Sequence, residues 1–195
     1  RSIEEKRFEG ALIPIYDEDG NLALDRDKHS RPGTTLESLR DLKPSFLEMG
    51  RQQVEGWPKP FDEMAKEKYT DVKDLVHVHH AGNSSGVVDG ASAVLVVSPD
   101  FAKAHGLRPR ARIRMTATAG KEPLIMLTAP APAAKRCLEK AGMTKKDIDL
   151  WEINEAFASV VLKFLKDMDI SRDAMNIDGG AIALGHPIGA SGTRI

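Results

Sequence analysis

From residue 81 onward, strand-length apolar runs alternate with segments of helical periodicity, and this alternation constrains the fold more than any other feature. The runs SAVLVVS, IDLWEI and AMNI have the length of strands, and ARIRMTATA alternates like a strand with one solvated face. PDFAKAHG predicts a short helix, and ASVVLKFLKDM has helical spacing. A further helix that ends at Gly142 is predicted by the apolar positions Ala134, Cys137, Leu138 and Ala141. Strands that alternate with helices predict an α/β fold with layers of mixed sheet and helix.

The first 80 residues have a different texture, polar and interrupted by turns. ALIPIY is strand-like, whereas DEDGN and SRPGT are typical of turns. Thr34 or Thr35 is the expected N-cap of a helix that Pro44 limits. We therefore divide the chain into a loop-rich domain at residues 1–80 and a layered domain at residues 81–195.

Charge and cysteine content exclude several classes of protein. The 28 basic and 29 acidic side chains give a net charge of -1, which provides no electrostatic footprint for nucleic acid. No apolar stretch approaches the roughly 20 residues of a membrane span. The single cysteine, Cys137, excludes an internal disulfide and a cysteine-rich zinc site, and fits a reducing, cytoplasmic location. The chain starts at Arg1 without an initiator methionine and stops in a helix-like segment, so we expect an excerpt of a longer protein.

Two polar residues at predicted helix starts are candidates for chemistry. Asn154 follows a predicted strand in NEAFA, where it acts either as an N-cap or as a group that holds a water or a substrate oxygen. His186 precedes Pro187, which is favoured at the first position of a helix. The positive end of the helix dipole lies at the helix N-terminus and disfavours a protonated imidazole there. The ring of His186 is therefore expected to be neutral and able to accept a proton. The alternative is a histidine satisfied within a packed, glycine-rich helix.

Two further patterns have simpler interpretations. His77 and His79 in LVHVHH would share one face of a strand and offer a pair of zinc ligands, together with the adjacent His80. No further ligand set with recognisable spacing is nearby, so we predict a half-buried strand and no metal site. Cys137 lies on an apolar helical face, which favours packing in the core over a nucleophilic role.

Three segments in this order resemble the thiolase family, the acetyl-CoA acetyltransferases and 3-ketoacyl-CoA thiolases: HHAGNSSGVVDGASAVLVVS, DLWEINEAFAS and NIDGGAIALGHPIGASGTRI. The resemblance extends back through RPGTTLESLRDLKPSF and RFEGALIPIY. It implies a thiolase-like layered fold that is incomplete in this chain. Residues 1–80 would then form the coenzyme A side, and residues 81–195 part of the C-terminal thiolase domain.

The resemblance also implies a reaction. Thiolases cleave a 3-ketoacyl-CoA with coenzyme A, or condense two acyl-CoA molecules, through a cysteine-bound acyl intermediate. Coenzyme A and acyl-CoA are substrates, no cofactor is bound permanently, and the intact protein is expected to be a homodimer or homotetramer. The two reactive cysteines of the family belong to segments that this chain lacks, so the chain alone is expected to be inactive.

Site residues follow from the same match. His186 corresponds to the histidine that activates the nucleophilic cysteine and helps to bind the thioester oxygen, and Asn154 to the asparagine that positions a water in the oxyanion hole. The remaining matches concern binding. The nucleotide end of coenzyme A would meet Arg31 and Ser38, the pantetheine arm Ala81 and Ser85, and the acyl group Met126 and Phe157.

The chain departs from the family pattern in two places. Residues 47–80 form a longer connection than compact thiolases have, and Leu127 and Ala129 stand where the family often has glycine. Both departures bear on the acyl pocket. Two alternatives stay open at this point: a non-catalytic chain of thiolase fold that binds acyl-CoA or a partner subunit, and a condensing enzyme similar to the ketoacyl synthases.

Overall fold

A computed structural model describes all 195 residues, and helices account for most of the regular structure. Two strands come first, β1 (Ile15–Tyr16) and β2 (Leu22–Leu24). Short 3-10 turns occur at Lys145–Asp147 and Arg172–Ala174. The helices are α1 (Leu36–Arg40), α2 (Leu47–Arg51), α3 (Phe61–Lys68), α4 (Pro99–Ala104), α5 (Pro130–Ala141), α6 (Ala158–Met168), α7 (Ala181–Leu184) and α8 (Ile188–Arg194). None of these helices has the length and apolar composition needed to cross a membrane.

Local sequence signals explain how these elements begin and end. The carboxylate of Asp17 accepts the backbone N–H groups of Asp19 (3.0 Å) and Asn21 (2.8 Å), which closes the turn between β1 and β2. Thr35 caps α1, so the second of the two predicted threonine caps is confirmed. The predicted end of α5 is also confirmed, because Gly142 adopts the left-handed conformation there (φ 65°).

The core lies where α5 packs against α6. Phe164 on α6 is 1% exposed and contacts a buried cluster that includes Val161 and Met168. The ring of Trp151 meets that of Phe164 edge-on at a centroid distance of 5.6 Å. Cys137 is half-buried on α5 and is not one of the residues of this cluster, so its predicted place in the core is wrong.

Most of the predicted strands do not form. IDLWEI and AMNI are reduced to one parallel bridge between Trp151 and Met175, and ALIPIY keeps only β1. SAVLVVS and ARIRMTATA form no bridge to any segment of this chain, and the segment LVHVHH is likewise irregular. A strand needs a neighbour to bond its N–H and C=O groups, and apolar patterning alone does not supply one.

The unpaired runs show the consequence of a missing neighbour. Val94, Leu95 and Val96 are 60%, 72% and 68% exposed. In the second run, the carbonyls of Thr116 and Thr118 accept hydrogen bonds from the side chains of α5: Lys140 at 3.0 Å and Arg136 at 3.2 Å.

We expect Phe164→Ala to lower the free energy of unfolding by about 3–5 kcal/mol, because it leaves a cavity beneath Trp151. Leu162→Ala on the same helix is the control, since Leu162 is 59% exposed; it should cost less than about 1 kcal/mol. Urea unfolding followed by tryptophan fluorescence measures both. Equal losses for the two variants would contradict the position of the core.

Candidate active site

The structure brings Asn154 and His186 into contact, although 32 positions separate them. The Asn154 amide nitrogen Nδ2 lies 3.2 Å from Nε2 of His186, and both residues are half-buried. The amide oxygen Oδ1 of Asn154 is buried and has no hydrogen-bond partner. A buried carbonyl oxygen without a donor is costly unless a ligand or water supplies one. This oxygen is therefore available to a group that enters the site.

The local roles predicted for the two residues need correction. Phe157 is the N-cap of α6, so the interpretation of Asn154 as a helix cap is wrong. Pro187 is the N-cap of α8 and not its first helical residue, which places His186 one residue before the cap. The backbone N–H of His186 donates to the Gly86 carbonyl (2.8 Å), and this bond fixes the position of the histidine outside the helix.

A serine on α8 contacts the other side of the imidazole ring. Ser191 is 5% exposed, and its hydroxyl oxygen lies 2.6 Å from Nδ1 of His186. The same hydroxyl donates to the backbone carbonyl of Pro187 at 3.1 Å. Both ring nitrogens of His186 therefore have defined protein neighbours.

Glu155 and Asn176 join the two segments that carry the site. The Asn176 amide accepts from the N–H of Ile153 (2.8 Å) and donates to the Ile153 carbonyl (2.9 Å). It also donates to the Glu155 carboxylate at 2.9 Å, whose second oxygen accepts the N–H of Ile182 in α7 (3.1 Å). These bonds hold the residues around Asn154 against the segment that leads to His186.

Gly180 is required where the two segments meet. A Cβ atom at this position would overlap the carboxyl group of Glu155, so any side chain would displace the carboxylate from α7. The glycine-rich segment can therefore pack closely against NEAFA because residue 180 has no side chain.

The electrostatic environment of this junction is acidic. Partial burial raises the pKa of Glu152 above its ordinary value, and the nearby carboxylates of Asp178 and Glu155 raise it further. Asp178 is in turn paired with Arg7, whose guanidinium nitrogen lies 2.8 Å from the carboxylate. The turns at the start of the chain are therefore tied to the same segment as the site.

Backbone hydrogen bonds attach the segment at residues 81–86 to the start of α6. Ser85 donates to the Ala156 carbonyl (3.0 Å), and Ala158 donates to the Asn83 carbonyl (2.9 Å). These bonds place Ser85, which is half-buried, beside Phe157 in the fold, while Ala81 is exposed at the start of the segment. Two of the predicted binding residues, Ser85 and Phe157, thus share one region with Asn154.

The other predicted binding residues lie elsewhere on the surface. Arg31 is exposed, and its side chain makes no hydrogen bond within the chain. Ser38 is exposed on α1, where its hydroxyl donates to the Thr35 carbonyl (2.9 Å) as part of the helix cap. Met126 is 63% exposed in the turn before α5, with a left-handed backbone (φ 48°).

Each histidine of LVHVHH has a separate protein partner. His77 lies 3.0 Å from the Asp62 carboxylate, and His79 lies 2.9 Å from the Ser159 hydroxyl. Nδ1 of His80 accepts the N–H of Gly82 at 3.1 Å. No three side chains of the types that ligate metals are grouped in this chain.

Sequence reasoning missed Glu155, Asn176 and Ser191. Each is a polar residue adjacent to an apolar pattern, and each acts on a residue of another segment or turn. The one available signal was that Asn176 is a polar residue inside the apolar run AMNI, where its side chain needs a partner.

Comparison with known proteins shows the class to which this fold belongs. Residues 107–195 match the family described as thiolase, C-terminal domain. The whole chain is 41% identical to a 3-ketoacyl-CoA thiolase of Marinobacter nauticus, over 44% of that protein. It is 40% identical to an acetyl-CoA acetyltransferase of Paracoccus denitrificans, with 97% of this chain and 42% of that protein covered.

Solved structures agree with the sequence relatives. The human mitochondrial 3-ketoacyl-CoA thiolase superposes with a TM-score of 0.79 at 37% identity, over 99% of this chain and 42% of that one. The chain belongs to the thiolase family, and its thiolase-like fold is confirmed. It spans less than half the length of the curated relatives that it matches.

We expect Asn176→Ala to lower the free energy of unfolding by about 1–3 kcal/mol, because it leaves the Ile153 N–H and a Glu155 oxygen without partners. Asn176 has a positive φ of 45°, which alanine tolerates poorly. Asn176→Gly removes the side chain without that strain, so it isolates the loss of the hydrogen bonds. Urea unfolding measures both variants. Asn21→Ala, at an exposed turn, is the control, and a loss no larger than the control would contradict the role of Asn176.

Proposed function

We propose that this chain is part of an acyl-CoA C-acyltransferase, a thiolase. The enzyme cleaves a 3-ketoacyl-CoA with coenzyme A, or condenses two acyl-CoA molecules, through a cysteine-bound acyl intermediate. The observation that carries the proposal is the contact between His186 and Asn154 at 3.2 Å, beside the unpartnered oxygen of Asn154. A proton acceptor and an unsatisfied amide oxygen at one point are what acyl transfer by a thiol needs.

His186 acts first as a base in this mechanism. Its Nε2 takes the proton of the nucleophilic thiol, and the thiolate then attacks the thioester carbonyl, because the thiolate is the reactive form of cysteine. The N–H bond formed at Nε2 next donates to the thioester oxygen as negative charge develops there. One nitrogen thus serves the two steps in sequence.

Asn154 supplies the second part of the oxyanion hole. Its buried Oδ1 accepts a hydrogen bond from a water, and that water donates its other proton to the thioester oxygen. Asn176 bonds to Ile153 and to Glu155, the residues on the two sides of Asn154. The Asn154 amide is therefore already in position before the substrate binds, and binding carries no entropic cost for ordering it.

The loop-rich domain at residues 1–80 binds coenzyme A in this proposal. The exposed guanidinium of Arg31 is free to pair with a phosphate or to stack on adenine, and Ser38 lies on α1 after it. Ser85 and Ala81 follow the pantetheine arm, and Phe157 and Met126 lie near the acyl group. Coenzyme A and acyl-CoA bind as substrates, and no cofactor is held permanently.

The reactive cysteines belong to the rest of the full-length protein. The one cysteine here, Cys137, is half-buried on α5, in a helix that packs against the core. We therefore expect the 195-residue chain alone to be inactive in thiolysis. The full-length protein is proposed to be a cytoplasmic homodimer or homotetramer.

In the full-length protein, His186→Ala should lower the turnover of acetoacetyl-CoA thiolysis by about a thousandfold or more, because one change removes the base and an oxyanion donor. Asn154→Ala should cost about a hundredfold, because a water can partly reorganise without its anchor. His105→Ala is the matched control, since His105 is exposed at the end of α4. Steady-state kinetics measure all three.

Alkylation of the reactive cysteine by iodoacetamide gives an independent readout of the base. The reaction should slow in His186→Ala near neutral pH, because the thiol loses its proton acceptor. If His186→Ala retains both the turnover and the alkylation rate of the wild type, His186 is a packing residue and the proposed function is wrong.

Arg31→Ala should weaken coenzyme A binding by about tenfold in low salt, which is the scale of one charge-assisted hydrogen bond. The difference should shrink as the salt concentration rises. Arg26→Ala, an exposed arginine of the same domain, is the control. Isothermal calorimetry on the full-length protein measures the affinities, and equal values for wild type and Arg31→Ala would contradict the placement of Arg31.

A further inference from the structure

We propose that Ser191 is a positioning residue that holds the neutral imidazole of His186 in the tautomer with its proton on Nδ1. The tautomer itself is inferred from hydrogen bonds within this chain. Its value for catalysis rests on the proposed function of His186.

The hydrogen bonds of Ser191 determine where the proton lies. The hydroxyl has one hydrogen, and it donates that hydrogen to the Pro187 carbonyl at 3.1 Å. A serine that bonds to the carbonyl four residues earlier in a helix is a common arrangement, and it fixes the rotamer. The oxygen is then left as an acceptor, 2.6 Å from Nδ1 of His186. In this arrangement the ring donates from Nδ1 to the serine oxygen.

Asn154 leads to the same assignment from the other side of the ring. Its amide nitrogen Nδ2 is a donor, and it lies 3.2 Å from Nε2 of His186. A proton on Nε2 would place two donors against each other. With the proton on Nδ1, Nε2 offers its lone pair to Asn154, and every contact of the ring joins a donor to an acceptor.

Burial makes this arrangement rigid. Ser191 is 5% exposed, so water does not compete freely for its hydroxyl. The backbone N–H of His186 is held by the Gly86 carbonyl at 2.8 Å, which limits motion of the ring relative to α8. A fixed backbone and a fixed hydroxyl together leave the imidazole one favoured orientation.

The tautomer is the one that the proposed proton transfer needs. When the thiol reacts, its S–H bond breaks and the electron pair stays on sulfur, while a new N–H bond forms at Nε2. The ring becomes an imidazolium whose Nδ1–H still donates to Ser191; Nε2 no longer accepts from the Asn154 amide, and its new N–H faces the thioester oxygen. Ser191 does not touch the substrate; it acts through His186 alone.

The first test reads the tautomer directly. Nitrogen-15 NMR of the full-length protein with labelled histidine, assigned through His186→Gln, should show Nδ1 protonated and Nε2 unprotonated in the neutral ring of His186. Ser191→Ala should give a mixture of the two tautomers. Ser92→Ala is the matched control, because the Ser92 hydroxyl also donates to a carbonyl of α8, that of Ala190 at 2.7 Å, without contact to His186. A wild-type ring protonated on Nε2 would overturn the proposal.

The second test separates turnover from binding. Ser191→Ala should lower kcat by about tenfold, the scale of one net hydrogen bond, and leave KM for coenzyme A unchanged. Ser191→Thr keeps the hydroxyl and should restore the tautomer and most of kcat, whereas Ser92→Ala should match the wild type. An unchanged kcat in Ser191→Ala would overturn the positioning role. If the wild type lacks thiolysis, the proposed function fails, and the NMR spectrum of the wild type still tests the tautomer.

Discussion

The carboxylate of Glu155 is the interaction on which the arrangement of the site depends. It accepts hydrogen bonds from the side chain of Asn176 and from the backbone of Ile182 in α7. One carboxylate therefore joins the segment NEAFA, which carries Asn154, to the glycine-rich segment that leads to His186. Gly180 allows this contact because any side chain there would displace the carboxylate. This junction holds the residues around Asn154 against the segment that leads to His186, and backbone bonds from residues 85 and 86 attach to both sides of it.

A second set of contacts connects the loop-rich part of the chain to the start of α6. The ring of His79 lies 4.8 Å from that of Phe157 between centroids, and Phe46 meets Phe157 edge-on at 5.8 Å. His79 also bonds to Ser159 on α6. The long connection at residues 47–80 therefore ends beside the residue proposed to lie near the acyl group, where its sequence can influence the shape of the pocket.

The sequence predicted features that local chemistry controls. Helices α5 and α6 follow from the spacing of their apolar residues, and Thr35 and Gly142 mark helix ends through their own side-chain and backbone properties. The strands around Leu95 and Ile113 could not be predicted correctly, because a strand depends on a partner that its own pattern does not specify. The residues that hold Asn154 and His186 in place were likewise beyond local reasoning: Asn176 bonds to the two neighbours of Asn154 from a distant segment, and Ser191 contacts His186 across a helical turn. The resemblance to thiolases pointed to the two central residues, and the structure showed what holds them.

The central claim is that His186 and Asn154 together bind the oxygen of a thioester. A crystal structure of the full-length protein with bound acyl-CoA tests it most directly. We expect the thioester oxygen within about 3 Å of Nε2 of His186, with a water between that oxygen and Oδ1 of Asn154. A thioester bound away from both residues, with the Asn154 oxygen still unpartnered, would contradict the claim.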